Sequence, residues 1–261
     1  QTTDSTHSPE RLQRSLLASS ELLNKNLNDY FVFFQPQDVV SGDFYWARQL
    51  SNGTFALATA DSTGHGVPGA IMSILNISSL EKAVEQGFTE PSDILGQTRK
   101  TIIERLKKDG SAEGGKDGMD ASLIRFDFRN QKLTYSAANS PIWVVRTSLQ
   151  ITGSVDLKTT LIELKPDKMP VGKSDKDQQP FTQNEFELQN GDIIYTLTDG
   201  FPDQFGGPKG KKFMSKQLKE VLVSISILPI YEQKLKLQEV FENWKGDREQ
   251  VDDVCLIGIK I

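Results

Sequence analysis

One cysteine and two histidines among 261 residues rule out a disulfide framework and a Cys/His zinc cluster at the outset. Cys255 sits in a terminal apolar run, where a small core side chain is the expected role. Basic residues number thirty against thirty-five acidic, and the net charge of -5 argues against a nucleic-acid or anionic-membrane surface. No apolar run approaches the length that crosses a bilayer, and no secretory signal stands at the N-terminus. A direct membrane span is therefore not expected, and the expected location is cytoplasmic. Since the chain opens on Gln1 and not on methionine, it reads as a piece of something longer.

Against those absences stands a composition ordinary for a globular chain with a sizeable core, 37% hydrophobic and 25% charged. No linker-like break divides it. Its length suits one large β sandwich over residues 30–261, preceded by a linker or regulatory helix over 1–29. The organising stretch is FALATADSTGHGVPGAIMSILN, residues 55–76. An apolar run that ends abruptly in Asp61 reads as a buried strand delivering a carboxylate to its own C-terminal edge. Gly64, Gly66 and Gly69 open backbone conformations closed to other residues, and Pro68 suits the first turn of the helix that follows. A carboxylate beside exposed backbone polar groups at a helix N-terminus is a place to hold a metal, a phosphate or both.

Residues 8–29 are expected to form one helix, capped by Ser8 with Pro9 at its first position. Leu12, Leu16, Leu23 and Leu27 make a narrow stripe on it, interrupted by Ser19 and Ser20. That stripe suits either docking on the chain's own domain or coupling to an upstream module or a second subunit. An aromatic strand at 30–34 leads to VVSGDFYW, and a turn at Asn52 and Gly53 pairs 44–49 with 54–60, which sets Asp43 and Asp61 at the same end of a hairpin. Helices are expected at 68–86, apolar on more than one side and so well covered, and at 91–108; a glycine-rich, charged and mobile loop follows at 109–118. Strands come next at 121–128, 132–137 and 142–147, then the polar loop LKPDKMPVGKSDKDQQ. A second hairpin joins 184–188 to DIIYTLT through Asn190 and Gly191; a glycine and lysine loop at 201–212, helices near 215–226 and 229–245, and the closing strand VCLIGIKI complete the chain.

DIIYTLT ends in Asp199 and Gly200, and Asp252 with Asp253 precedes the closing strand, so three strand ends are acidic, with Asp43 beside them. A single such aspartate is commonly a turn residue or a cap. Gathered together, carboxylates raise one another's pKa, and cations relieve the repulsion. Oxygen ligands with no paired histidine or cysteine select Mg2+ or Mn2+ over zinc or copper, and a two-metal site clamps a phosphoryl group for in-line attack by a bridging water. The deduced chemistry is phosphoester hydrolysis. Gly64, Gly66 and Gly69 also spell G-x-G-x-x-G, the fingerprint of a dinucleotide-binding oxidoreductase, but that motif needs a parallel strand straight after the helix, and a second helix is expected there instead.

In order and spacing, VVSGDFYW, ADSTGHGVPGA, DGMDASL, AANSPIW, KMPVG, GDIIYTLTDGFPDQ and DDVCLIGIKI resemble the SpoIIE-type branch of the metal-dependent protein phosphatase (PPM, type 2C) family, over nearly all of residues 30–261. The resemblance implies an α+β fold, a four-layer α-β-β-α sandwich of two antiparallel sheets with outer helices. It implies a cleft at one end holding two Mn2+ or Mg2+, and hydrolysis of phosphoserine or phosphothreonine on a protein by metal-activated water, without a covalent intermediate. By the same resemblance Asp61 bridges both metals, the Ser62 backbone carbonyl is the ligand beside it, Asp199 and Asp252 belong to one metal, and Asp43 holds a metal-bound water. Asp253 is the alternative to Asp252, and Asp120 is a candidate for a peripheral third metal.

His65 departs from the family pattern, because Ser62 and Thr63 lengthen its turn beyond D-G-H; its role lies between a general acid and a turn-stabilising histidine. The phosphate-binding arginine of eukaryotic members has no counterpart before Asp43, which leaves phosphate mainly to the metals. Members of this branch act in bacterial signalling on anti-sigma-factor antagonists, often as output modules of longer sensor proteins, so a phosphorylated protein of that class is the implied partner. A non-catalytic regulatory module of the same fold, using its cleft or helices to bind partners, is the alternative.

Overall fold

The computed structural model describes residues 3–107, 115–151 and 153–261. At the N-terminus α1 (Thr3–Leu16) and α2 (Ser20–Asn26) precede β1 (Asp29–Gln35), β2 (Asp43–Gln49) and β3 (Phe55–Ser62). Two helices, α3 (Gly66–Glu85) and α4 (Pro91–Leu106), lead to β4 (Gly118–Asp127), β5 (Lys132–Ala138), β6 (Ile142–Ile151) and β7 (Val155–Leu164). Then come β8 (Val171–Gly172), β9 (Asn184–Glu187), β10 (Ile193–Leu197), the one-turn α5 (Gly200–Asp203), and the short β11 (Phe205–Gly206) and β12 (Lys211–Lys212). The chain closes with α6 (Ser215–Ile225), α7 (Ile230–Lys245) and β13 (Val254–Lys260).

Two antiparallel sheets carry the fold, in the orders β1-β13-β10-β6-β7 and β2-β3-β4-β5-β9, with β8 pairing β4. β3, β4, β10 and β13 are buried along nearly their whole length because both their faces are covered, whereas β7, β9 and the second half of β6 are largely exposed. Leu57, Phe126, Leu133, Val144, Ile194 and Ile257 fill the space between the sheets. On the outer side of one sheet, α3 and α4 pack over Phe44, Ala58 and Leu123; on the other, α6 and α7 pack over Phe33, Trp143 and Tyr195. Each fully buried large apolar side chain stabilises by about 1.5–3 kcal/mol, so these three clusters outweigh any individual polar bond. The result is the α-β-β-α sandwich that the resemblance implied.

Residues 8–29 form two helices instead of one. Ser19 Oγ accepts the Leu22 N–H at 3.1 Å and so caps a new helix, while α1 already begins at Thr3 and holds Ser8 and Pro9 within it. The leucine stripe splits with it, since Leu23 and Leu27 are buried but Leu12 and Leu16 are exposed. α3 is less covered than expected, with Val67, Ile71 and Ile74 at the surface. Asn190 and Gly191 close no hairpin: β9 pairs β5, whereas β10 pairs β6 and β13 in the other sheet. The buried Asp192 anchors that crossing by accepting Gln189 N–H and both a terminal and the ε nitrogen of Arg146. β7 was not expected at all, and the span expected as a loop over 201–212 contains α5, β11 and β12. Most of the loop expected at 109–118, and the end of the helix expected at 108, lie outside the described residues; β4 begins at Gly118.

Candidate active site

The acidic strand ends meet at one edge of the sandwich. Asp43 stands opposite Asp61, and Asp61 opposite Asp120, on the adjacent strands β2, β3 and β4. Two residues before Asp61, the hydroxyls of Thr59 and Thr196 meet at 2.7 Å across the sheets, so strand alternation turns Asp61 to the inter-sheet face as well. The other sheet brings Asp199, the N-cap of α5 just beyond β10, and Asp252, just before β13. Thr198 fastens the sheets together here: its Oγ1 donates to Asp43 Oδ2 at 2.5 Å and accepts the Cys255 N–H at 3.0 Å. The cleft so formed has lobes of about 320 and 200 Å3 that share Asp61 and Asp120. Ser62, His65 and Asp252 line the first; Asn139, Thr198 and Asp199 line the second. Among the described residues, no lysine or arginine lines either lobe.

Carboxyls crowded into a partly dry cleft resist ionisation. Burial, and then the charge of Asp61, push Asp43 well above the usual carboxylate range against the opposing hydrogen bond from Thr198. Asp61 is pushed up to about 9, by burial first and by Asp199 second. Asp252 is pushed up to about 6 by the same two causes. Burial raises Asp120 too, although Asn139 Nδ2 donates to it at 2.9 Å and opposes the shift. Asp43 Oδ1 is buried without a hydrogen-bond partner, an acceptor whose lost hydration nothing in the chain replaces.

An all-oxygen donor set with an orphaned carboxylate oxygen fits a hard divalent cation. Among the described residues, no three His, Cys, Asp or Glu side chains surround a single point. A cation there would draw part of its shell from backbone and water, as Mg2+ commonly does.

Asp252 and Asp253 are used differently. Asp253 is 2% exposed, and both its oxygens are engaged: Oδ1 accepts the Gln37 N–H and Oδ2 the Gly42 N–H, each at 2.8 Å. Asp252 lines the cleft, with its Oδ1 accepting the Asp253 N–H at 2.8 Å. His65 is exposed at the N-cap of α3, and its side chain makes no capping hydrogen bond.

Close packing accounts for the glycines of the turn. Gly64 has φ +88°, and its carbonyl oxygen lies where a Cβ on Gly69 would stand 2.5 Å away and a Cβ on Gly42 2.6 Å away. The glycine turn thus seats the start of α3 on the start of β2, and α4, not a parallel strand, follows α3. Ser73 Oγ then donates to Gly42 O at 2.9 Å, and Asn76 Nδ2 to Ser62 Oγ at 3.0 Å and Gly118 O at 3.2 Å. On α1, the buried Gln13 donates from Nε2 to Ser41 O at 2.5 Å and accepts the Ser41 N–H at 2.7 Å. Sequence reasoning passed over Ser73, Asn76, Thr198 and Gln13. The available signal was a serine and an asparagine three apart in the otherwise apolar residues 66–77 of the helix.

The family model described as Stage II sporulation protein E (SpoIIE) matches residues 51–261. The SiaA-PP2C domain of Pseudomonas aeruginosa superposes with a TM-score of 0.84 at 27% identity, over 100% of this chain and 97% of that one. The RsbU and RsbW domains of Rv1364c from Mycobacterium tuberculosis give 0.67 at 20% identity, over 89% of this chain and 59% of that one. The PP2C phosphatase domain of SpoIIE from Bacillus subtilis, with a fragment of its regulatory domain, gives 0.65 at 18% identity, over 89% and 63%. The last two likenesses speak to the fold alone. Sequence comparison with curated proteins gives no match.

Proposed function

The chain belongs to the Stage II sporulation protein E family, and from that premise we propose that it removes phosphate from serine or threonine on a protein partner, using two Mn2+ or Mg2+ in the acidic cleft. The fold is the PP2C-type phosphatase fold of bacterial signalling proteins. The observation that carries the proposal is the cleft's charge: Asp61, Asp120, Asp199 and Asp252 line it, no described lysine or arginine does, and a phosphate dianion enters such a place only with cations. In this reading Asp61 would serve both cations with the Ser62 carbonyl as the ligand beside it, Asp199 and Asp252 would hold one of them, and Asp43, whose Oδ1 has no hydrogen-bond partner, would hold a water. Asp120 is the candidate for a peripheral third ion, and Asp253 holds the 37–42 loop. His65, exposed at the N-cap of α3 and making no capping bond, would be the general acid that gives a proton to the leaving serine or threonine oxygen, the other role open to it being to stabilise the turn. When bound, the cations supply the positive charge that draws in the phosphoryl group and lowers the pKa of water.

The partner we infer is a phosphorylated anti-sigma-factor antagonist, and the chain's place is the cytoplasmic output end of a longer sensor. Residues 1–29 would serve as its regulatory segment and 30–261 as its phosphatase domain. Among the described residues no helix is long and apolar enough to cross a membrane. Hydrolysis of p-nitrophenyl phosphate and of a phosphoserine peptide, with Mn2+, with Mg2+ and with chelator, tests the reading. Turnover that vanishes with chelator is expected. Metal binding with no turnover on either substrate would favour the regulatory module, and tight NADH binding without metal would revive the oxidoreductase.

Asp199→Asn and Asp252→Asn are each expected to shift the Mn2+ titration of activity to higher concentration, by on the order of 10–100-fold. An unmoved midpoint in both variants removes them from the metal site.

The metal-free domain should respond to pH in a defined direction. Asp61 and Asp252 keep protons in the folded state, at about 9 and about 6, that unfolded aspartates lose near pH 4. The folded state then binds more protons than the unfolded one, and stability falls as pH rises. Thermal unfolding in chelator is expected to drop steadily from about pH 5 to about pH 9. Mn2+ should raise Tm more at the alkaline end. A chelated Tm that climbs over this interval contradicts the proton assignment.

A further inference from the structure

A groove of about 620 Å3 runs along the open side of the sandwich, floored by β1 and walled by α1 and α2 on one side and α7 on the other. β1 is an end strand whose ladder partner is β13. Hydrogen-bond parity fixes which of its main-chain groups face outward. Ile261 N donates to Asp192 O and Thr198 N to Cys255 O, so the odd-numbered residues of β13 bond towards β10. Alternation turns Leu256 and Gly258 towards Phe33 and Phe31 of β1, and the N–H and C=O groups of Tyr30, Val32 and Phe34 then point out at the open edge. The side chains of these three residues face the inter-sheet core but are only partly covered. Beneath them the rings of Phe34 and Tyr45 meet edge to face at 5.6 Å and close the gap between the sheets.

An open strand edge is ordinarily blunted by charge, proline or a bulge. The seven residues of β1, DYFVFFQ, have neither proline nor lysine, and their one charge is Asp29 at the end. We propose that this groove docks an extended, acidic segment of a partner protein, which adds to β1 as a further strand. Main-chain bonds would supply affinity, and alternate apolar side chains would enter the half-covered slot beside Val32 and Phe34. Charge selects the sign: of the three charged side chains that line the groove, Lys234 on α7 and Arg14 on α1, the latter also 3.0 Å from Glu10, flank it from opposite walls, and the acidic one, Asp29, stands at the end of β1.

The proposal is independent of phosphate hydrolysis and is tested by binding. The probe is a fluorescein-labelled peptide of alternating valine and glutamate, compared with a valine–lysine peptide and with the first peptide interrupted by proline. Saturable binding at least about tenfold tighter than either control is expected. Amide exchange should slow at Tyr30, Val32 and Phe34. Lys234→Glu should weaken binding by about tenfold at an unchanged melting temperature. Val32→Pro, which removes one outward N–H at an edge position that tolerates proline, should weaken it too. Absence of binding, equal binding of the lysine peptide, or binding undiminished by both variants overturns the proposal. So does sedimentation that shows the chain pairing with itself along β1.

Discussion

Asp61→Asn is expected to lower metal-dependent phosphatase turnover by on the order of a thousandfold or more, while raising the melting temperature of the metal-free domain. Both effects have one origin. Asp61 lines both lobes of the cleft together with Asp120, stands opposite Asp43 and Asp120 on neighbouring strands, and is pushed up to about 9 by burial with the charge of Asp199. Without a cation at about pH 8 it must hold a proton that an unfolded aspartate gives up, and this destabilises the fold; an asparagine of the same shape has no such proton to hold. The proposed cations need the carboxylate charge, and asparagine cannot supply it. Turnover assays with Mn2+ and thermal unfolding in chelator at about pH 8 check the pair. Wild-type turnover in the variant would end the two-metal reading, and a lowered chelated Tm would show that Asp61 is a structural carboxyl.

The second large effect is expected from Gly200→Ala, far more severe than its single methyl suggests. A Cβ at Gly200 would stand 1.8 Å from the Asp253 carbonyl oxygen and 2.8 Å from its carbonyl carbon, both backbone atoms that cannot swing aside. Either α5 or the segment entering β13 must move. Overpacking of this kind costs about 3 kcal/mol or more where the backbone has to yield. For a chain of this size that corresponds to a drop in Tm of roughly 6–12 °C. Asp199 is the N-cap of α5, and Asp252 and Asp253 enter β13, so the Mn2+ titration should weaken together with the fold. A variant with unchanged melting and unchanged titration would mean that the two segments are not held in contact.

Much of the site was legible because its pieces are local. The turn at Asn52 and Gly53 fixes a hairpin register, and from it Asp43 falls opposite Asp61. The apolar closing strand and the acidic pairs before or after strands could be read without knowing which sheet held them. What failed depends on partners far away in the chain. β9 and β10 look like the arms of a hairpin, but each finds its partner in a different sheet, and no local pattern distinguishes the two outcomes. Asp252 and Asp253 have the same chemistry in sequence; the loop amides at Gln37 and Gly42, more than two hundred residues earlier, take up one of them. Gln13 and Ser73 read as ordinary polar helix residues until the carbonyls of Ser41 and Gly42 are set beside them.

Gln13 also makes the N-terminal helix a participant in the thermodynamics of the cleft. Its two bonds clasp the backbone of Ser41, and Asp43 lies two residues further on, its own N–H donating to Ser41 Oγ at 2.9 Å. Docking of α1 and ordering of the Asp43 loop are therefore parts of one equilibrium. If ions settle more tightly when that loop is ordered, reciprocity requires that they hold α1 down by the same factor. Proteolysis or amide exchange within α1 should then slow when Mn2+ is added, and deletion of residues before 29 should shift the Mn2+ midpoint in the opposite sense. An upstream module that pulls on α1 would, through this single glutamine, be setting the cleft's appetite for metal.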